Sequence, residues 1–243
     1  PEERNLPDIR LTTSGKNLMV DFKHQQIYVK DALLKGLESE VITSFQGEFG
    51  VNPAFEGVFS AAKINIKNWI EHLGLPVPEM ASDKAFNNAG GKFNFSWDGQ
   101  VLKLENIEAE LDESKVTGQV ELPVTDGIYR FALQVTDFNA DQYMVVSSDG
   151  GKFYPLPAYD LYGLEAEGNV TLHNLNVSGV SANEVQVTLN ANKGRVELAP
   201  FDLFFKEGRL LSKLVFAPHS SGAGVNWKGR IDEFQLSQLS SKS

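Results

Sequence analysis

The chain has 243 residues, 42% of them hydrophobic and 10% aromatic, which is enough apolar material for an extended core and too much for a disordered tail. Its 22 Lys and Arg against 32 Asp and Glu give a net charge of −10, and no basic cluster interleaves with aromatics, so nucleic acid is not an expected partner. No cysteine is present, which excludes a disulfide framework and thiolate metal sites. No apolar run approaches the roughly 18 residues of a membrane span and no signal peptide opens at Pro1, so the chain reads as a soluble piece of something longer.

Near the N-terminus Ile27 and Val29 are apolar on odd positions and Ala32 and Leu34 on even ones, the first of several changes of frame. The segment INIKNWI (64–70) predicts a helix of about two turns, with Asn65 as N-cap, Gly74 just past its end and LPVP stopping it. Asp98-Gly99 marks a turn, after which LKLENIEAEL (102–111) starts as a strand and slips: Leu102 and Leu104 are even, Ile107, Ala109 and Leu111 odd. A strand has a side-chain period of two, so keeping one face apolar across such a slip requires an extra residue at Glu105-Asn106, a β-bulge, and a bulge bends the sheet. Strands follow over Val116–Leu122 and, past the turn Asp126-Gly127, over Tyr129–Val135. FNADQYM (138–144) predicts a short helix, and Ser147 to Pro157 reads as the one long loop. VTLHNLNV (170–177) predicts a further strand, with Leu172 and Leu175 out of phase around Asn174.

The remainder repeats what precedes it. A shift of 94 takes Leu102, Leu104, Ile107, Ala109 and Leu111 to Val196, Leu198, Phe201, Leu203 and Phe205, with the frame change now at Ala199-Pro200. Leu210–Phe216 follows at the same shift and Val225–Ile231 at a shift of 96, while a shift of −75 returns the slip between Val29 and Ala32. The chain therefore reads as one elongated β-repeat region with units at about 18–74, 91–145 and 164–240. Each unit is a four-stranded meander closed by a short helix, the last at FQLSQLS (234–240). The fold class expected is mainly β: an elongated, curved antiparallel sheet with bulged strands forming a repeating groove, two or three short helices, and more than half its residues in strands. The competing architecture is a closed sandwich of two sheets.

Chemistry is sparse. His24, His72, His173 and His219 are scattered, with no HExxH and no histidine beside a nucleophile, so no catalytic residue and no metal or other cofactor is expected. Glu108 and Glu110 fall on the polar face of one strand, and GAGVNWKG (222–229) lacks phosphate-loop spacing and reads as a hairpin. Asn94, Asn169 and Asn176 open glycosylation sequons that matter only in a host that glycosylates.

The run FSAAKINIKNWIEHLGLPVPEM (59–80), followed by LKLENIEAELDESKVTGQVEL (102–122) and YRFALQVTDFNADQYM (129–144), resembles the AsmA family of Gram-negative envelope proteins. The stretch from Gly163 to Gly208 is similar to the family's second characteristic segment, so the resemblance covers most of residues 58 to 208. It departs from the family at Lys206-Glu207-Gly208, where a glycine pair is usual, and in a shorter loop near 147–157. The resemblance implies a periplasmic region tethered to the inner membrane by an N-terminal anchor absent from this chain. It also implies a non-enzymatic role in outer-membrane biogenesis and kinship with bridge proteins whose β-groove carries phospholipid.

On that reading Leu104, Ile107, Val120, Phe131, Leu133, Val135, Val187, Leu198, Phe201, Leu203, Leu214 and Trp227 line a groove for phospholipid acyl chains. Lys103, Glu108, Gln119, Arg130, Gln134, Gln186, Glu197 and Asp202 then face water. The alternative is a non-catalytic envelope scaffold that binds outer-membrane protein precursors or other periplasmic proteins.

Overall fold

The structure is a computed structural model, and it describes residues 12–15, 17–36, 39–72, 77, 79–146, 151–153, 164–219 and 222–233. In chain order the first half holds β1 (Thr12–Ser14), β2 (Asn17–Asp21), β3 (Gln26–Gly36), β4 (Ser39–Glu48), β5 (Ala54–Ile64), helix α1 (Ile66–His72), β6 (Ala89–Trp97), β7 (Val101–Leu111), β8 (Ser114–Pro123) and β9 (Tyr129–Thr136). The second half holds β10 (Val145–Val146), β11 (Lys152–Phe153), β12 (Ala166–Val177), β13 (Val180–Asn192), β14 (Arg195–Phe205), β15 (Gly208–His219) and β16 (Gly222–Asp232). More than half of the chain is strand.

Fourteen strands form one open sheet in the order β1-β3-β4-β5-β6-β7-β8-β9-β12-β13-β14-β15-β16, with β2 also on β3. Contacts between elements run almost entirely between neighbours in this sheet, so it is a single layer and not half of a sandwich. The accessible surface of 16318 Å² compares with roughly 11,000 Å² for a compact monomer of this mass. Val185 is the largest side chain fully buried among the described residues.

The bulges fall where the phase slips put them. β7 steps from Leu104↔Val120 to Ile107↔Gly118, leaving Glu105-Asn106 opposite Gln119 alone. β14 steps from Leu198↔Leu189 to Phe201↔Val187, with the cis Ala199-Pro200 pair opposite Thr188. β3 steps from Val29↔Phe45 to Ala32↔Thr43, with Lys30-Asp31 opposite Ser44. Asp31 and Asn106 both sit at φ 52°, a conformation that short polar side chains tolerate far better than branched ones. Asp31 N–H donates to Ser44 Oγ at 2.9 Å, and that hydroxyl donates back to Asp31 Oδ1 at 3.3 Å.

All three bulges lie on one line across the sheet. Ser44 pairs with Val58 and Val58 with Asn94, which pairs with Glu105 in the second bulge. From Gln119 the line continues through Ala132 and Asn169 to Thr188, opposite the third.

Three expectations need correction. The sheet is not purely antiparallel: β9 and β12 are parallel, from Tyr129↔Ala166 to Thr136↔His173. The connection over residues 137–165 is long enough to return the chain to the end at which β9 began. Among the described residues α1 is the one α-helix, started by Asn65, whose Oδ1 accepts from Asn68 N–H at 3.2 Å. The second closure is a four-residue 3₁₀ turn, Ala140–Tyr143, capped by Asn139, whose side chain accepts from Asp141 N–H. The third, at 234–240, and Gly74 lie outside the described residues, as does most of the 147–157 loop; Lys152–Phe153 pairs with Val145–Val146.

Finally, the slip at Asn174 is not a bulge against β13. Asn174 takes φ 57°, but β13 changes face at the same height, so Leu172↔Val185 and Leu175↔Ala182 keep register. Its amide instead donates to Asp137 Oδ1 at 2.9 Å, beside the end of β9.

Gly118 faces the β7 bulge at φ 140°, and a Cβ there would stand 2.0 Å from the Ala132 carbonyl oxygen. Gly118→Ala is expected to cost roughly 3 kcal/mol through backbone strain and this clash. Asn106→Gly, at a position already in the left-handed region, is expected to stay within about 0.5 kcal/mol of the parent. Urea midpoints at unchanged m-value check both, and equal effects would mean the bulge does not set this geometry.

Candidate functional site: an open apolar sheet face

Residues paired directly across strands project to the same face, so pairing converts the strand patterns into rows. One row runs Leu18, Val29, Phe45, Gly57, Phe95, Leu104, Val120, Phe131, Gly168, Leu189, Leu198, Leu214, Trp227, from β2 to β16. It crosses thirteen strands without a polar side chain. Beyond the bulge line a second row runs Leu34, Val41, Ala61, Gly91, Ala109, Val116, Val135, Leu172, Val185, Leu203, Leu210, Ile231, again wholly apolar. Between them Gly118, Leu133, Val170, Val187 and Phe201 follow one another from β8 to β14, with Ile107 paired to Gly118.

All twelve residues singled out from the sequence lie on this one face. Leu104, Val120, Phe131, Leu198, Leu214 and Trp227 belong to the first row, and Ile107, Leu133, Val187 and Phe201 to the middle one. Val135 and Leu203 belong to the second row. The face was under-read at its N-terminal end. There Leu34, Val41, Phe45, Phe55, Phe59, Phe95, Trp97 and Leu102, with Thr43 and Val124, line an open hollow of about 610 Å³. Phe55 stacks on Trp97 with centroids 5.5 Å apart, and Phe59 on Phe93 at 4.7 Å. The signal was the alternation Phe55, Gly57, Phe59, Ala61 facing Phe93, Phe95, Trp97.

The other face is polar. Lys103 pairs with Glu121 at 3.7 Å, Arg130 reaches Glu121 at 3.9 Å and Glu167 at 2.6 Å, and Lys92 pairs with Glu108 at 3.0 Å. These pairs are solvent-exposed, worth about 0–1 kcal/mol each. Gln119, Gln134 and Gln186 are exposed on this face, and Glu197 is bridged by Lys213 and then by Arg195, which hold its carboxyl below the usual range. Asp202 departs from the expected water-facing role, because its Oδ1 accepts from Ser212 N–H at 2.9 Å in a partly buried setting.

The closing segments gather at one end of the strands. Trp69 Nε1 on α1 donates to Ser39 Oγ at 2.9 Å, and Ser39 is buried at the start of β4 on the apolar face. Ser114, its equivalent at a shift of 75, is also buried and donates to the Asp137 carbonyl at 3.1 Å. Between them Asp112, in the turn after β7, accepts from the backbone N–H groups of Phe86, Asn87 and Asn88 and from Tyr143 Oη at 2.8 Å. Tyr143 packs against Phe86 and Phe138, with centroids 5.0 and 5.3 Å away. The apolar face is thus bounded at this end and open above it.

His24, His72 and His173 stay apart: His24 bonds Asp21, His72 the Asn68 carbonyl, and His173 stands 3.5 Å from Glu184. Among the described residues no three potential ligands converge on a metal site, and no helix is long and apolar enough to cross a membrane. Comparison of the chain with protein-family models, with curated proteins and with solved structures finds no match.

Desolvation, and then the hydrogen bond to Asp112, push the Tyr143 hydroxyl well above its ordinary pKa. The folded chain therefore holds this proton where the unfolded chain has lost it, and the contribution is complete below about pH 10 and lost as pH rises toward the folded value. Tyr143→Phe is expected to lower stability by about 1 kcal/mol near neutrality. It is also expected to lose less stability than the parent between about pH 8 and about pH 11. Melting curves at the two pH values check this, and parallel losses in both proteins would place the proton elsewhere.

Proposed function

We propose that this chain is the periplasmic portion of an AsmA-like, bridge-type lipid transfer protein. Its apolar sheet face carries phospholipid acyl chains between the inner and outer membranes in support of outer-membrane biogenesis. The observation that supports this reading is the row of thirteen successive apolar or glycine positions from Leu18 to Trp227, on a face that no second sheet covers among the described residues. A conduit needs continuity along its axis, and the axis here crosses the strands. Thirteen strands at about 4.8 Å give a path of roughly 60 Å, longer than a shuttle enclosing one lipid needs. A sixteen-carbon tail leaving water for such a face gains on the order of 12 kcal/mol. Little polar specificity is needed, and no chemistry is performed on the cargo. The partners on this reading are the phospholipid, the inner membrane through an N-terminal anchor, and envelope proteins at either end.

The test keeps each site apolar. A photo-crosslinking residue at Phe131 or Leu203 is expected to form phospholipid adducts in cells, and the same residue at Arg130 or Gln134, on the opposite face, none. Melting should be unchanged in all four. Equal adducts from both faces, or none from Phe131 and Leu203, would overturn the reading, and adducts to protein alone would favour the non-catalytic scaffold.

A further inference from the structure

The two edges of the sheet are built differently. At one, β3 is flanked by two short strands, β1 of three residues and β2 of five, and short edge strands are a standard defence against stray pairing. At the other, β16 is eleven residues long, contains no proline, and pairs with β15 through eleven unbroken positions without a bulge. Among the described residues nothing pairs with its outer edge. On the apolar face it leaves Val225, Trp227 and Ile231 at 60, 55 and 61% exposure, and the Trp227 ring lies along its own strand over Gly229. A long, regular, apolar edge of this kind invites a further strand.

The polar face of β16 says which kind. Inside the sheet, cations on this face are answered by a carboxylate on an adjacent strand, as with Lys92 and Glu108, Lys103 and Glu121, or Arg130 and Glu167. Lys228 breaks the pattern. Its partner across the ladder is Lys213, which turns away to bridge Glu197 on β14. Arg230 is held within its own strand by Asp232 at 2.9 Å. The carboxylate that the pairing pattern calls for beside Lys228 belongs on the next strand outward.

We propose that β16 is a docking edge for one extended peptide strand of another protein. The strand has alternating large apolar side chains beside Val225, Trp227 and Ile231 and a carboxylate beside Lys228. A second copy of this chain fits poorly. Antiparallel self-pairing of β16 brings Lys228 to a carboxylate only in the register that sets it opposite Asp232, and that register opposes Arg230 to Arg230. On β2, Asp21 already accepts from His24 Nδ1 at 2.6 Å and from two backbone N–H groups. The three apolar side chains expose on the order of 300 Å², against about 800 Å² per partner in a stable dimer. An added strand draws its affinity from main-chain hydrogen bonds instead.

The inference rests on the edge and not on the lipid reading, and its test uses no lipid. Two fluorescent nine-residue peptides alternate valine with a polar residue, one with glutamate and one with lysine at the polar positions. The glutamate peptide is expected to bind at least about tenfold tighter in anisotropy titrations, a gap equivalent to about 1.4 kcal/mol. Lys228→Glu, at an exposed position and with melting unchanged, is expected to reverse the preference. Ser212 N–H turns away from β16 to Asp202, so the ladder bonds fall at Lys213↔Lys228 and Val215↔Asn226 and the Val225 N–H faces outward. Val225→Pro, which removes that outward donor, serves as a second variant and is expected to weaken both peptides. Absence of saturable binding by the glutamate peptide, or a preference indifferent to Lys228→Glu, would overturn the proposal. So would a concentration-dependent dimer in sedimentation that Lys228→Glu dissolves, since the occupant would then be a second copy.

Discussion

One extra residue, placed at the same height in β3, β7 and β14, is the constraint on which the rest of this sheet depends. Side chains alternate with period two, so an inserted residue inverts the face of everything after it unless the sequence changes frame at the same place. Here it does, at Asp31, at Asn106 and at Pro200, so the apolar face continues on both sides of the bulge. Because the three lie on one line through Ser44, Asn94, Gln119, Asn169 and Thr188, their local bends act about a common axis and do not cancel. The sheet bends across its strands while the rows of side chains run along the bend unbroken.

A single layer obtained in this way forgoes the usual source of stability. Side chains on the apolar face are covered sideways by neighbours in their row and by little else, which is why so few reach full burial and why Val185 and Ala182, at 1 and 2% exposure, sit where β12 and β13 change face together. The ion pairs of the opposite face are too exposed to compensate. Their alternation of sign from Lys103 through Glu121 and Arg130 to Glu167 opposes a slip of register, because a shift by two residues would separate each cation from its carboxylate. Register is what the polar face secures, and the Asp112 hub secures the end. One carboxylate there ties the 86–88 segment and the 3₁₀ turn to the β7–β8 hairpin.

How much of this was legible in the sequence follows from what periodicity encodes. It reports which face a side chain takes, so the slips at 105–106 and 199–200 were readable and the twelve residues from Leu104 to Trp227 could be assigned to one face. It is blind to strand direction, so the parallel pairing of β9 with β12 left no trace beyond a long connection. It is also a property of one strand at a time. The slip at Asn174 reads the same as the slip at Asn106, yet β13 changes face beside the first and β8 does not beside the second. Only the pairing partner separates a bulge from a shared kink. The aromatic end of the face was missed for another reason: Phe55, Phe59, Phe95 and Trp97 come from strands on either side of α1, and only the β5–β6 pairing brings them together.

Continuity along the row places a physical demand on its interruptions. Where Gly57 and Gly168 stand in the first row, a Cβ would meet the Ser44 carbonyl at 2.3 Å and the Phe131 carbonyl at 2.3 Å, and the Phe45 Cβ and the Phe131 ring lie beside the space a side chain would fill. The missing side chains leave no polar gap, because each is covered by an aromatic from the adjoining strand. A row can therefore lose side chains without losing its apolar character, provided a large neighbour covers the place. At the β16 edge no such neighbour stands among the described residues. Gly229 is covered from within its own strand by Trp227, and the same indole that shields it remains more than half exposed. The row is closed at every interior strand and open at its last one. That difference in side-chain cover accompanies the difference in length between the two edges: the short β1 and β2 offer few ladder positions, and β16 offers eleven beside an uncovered indole.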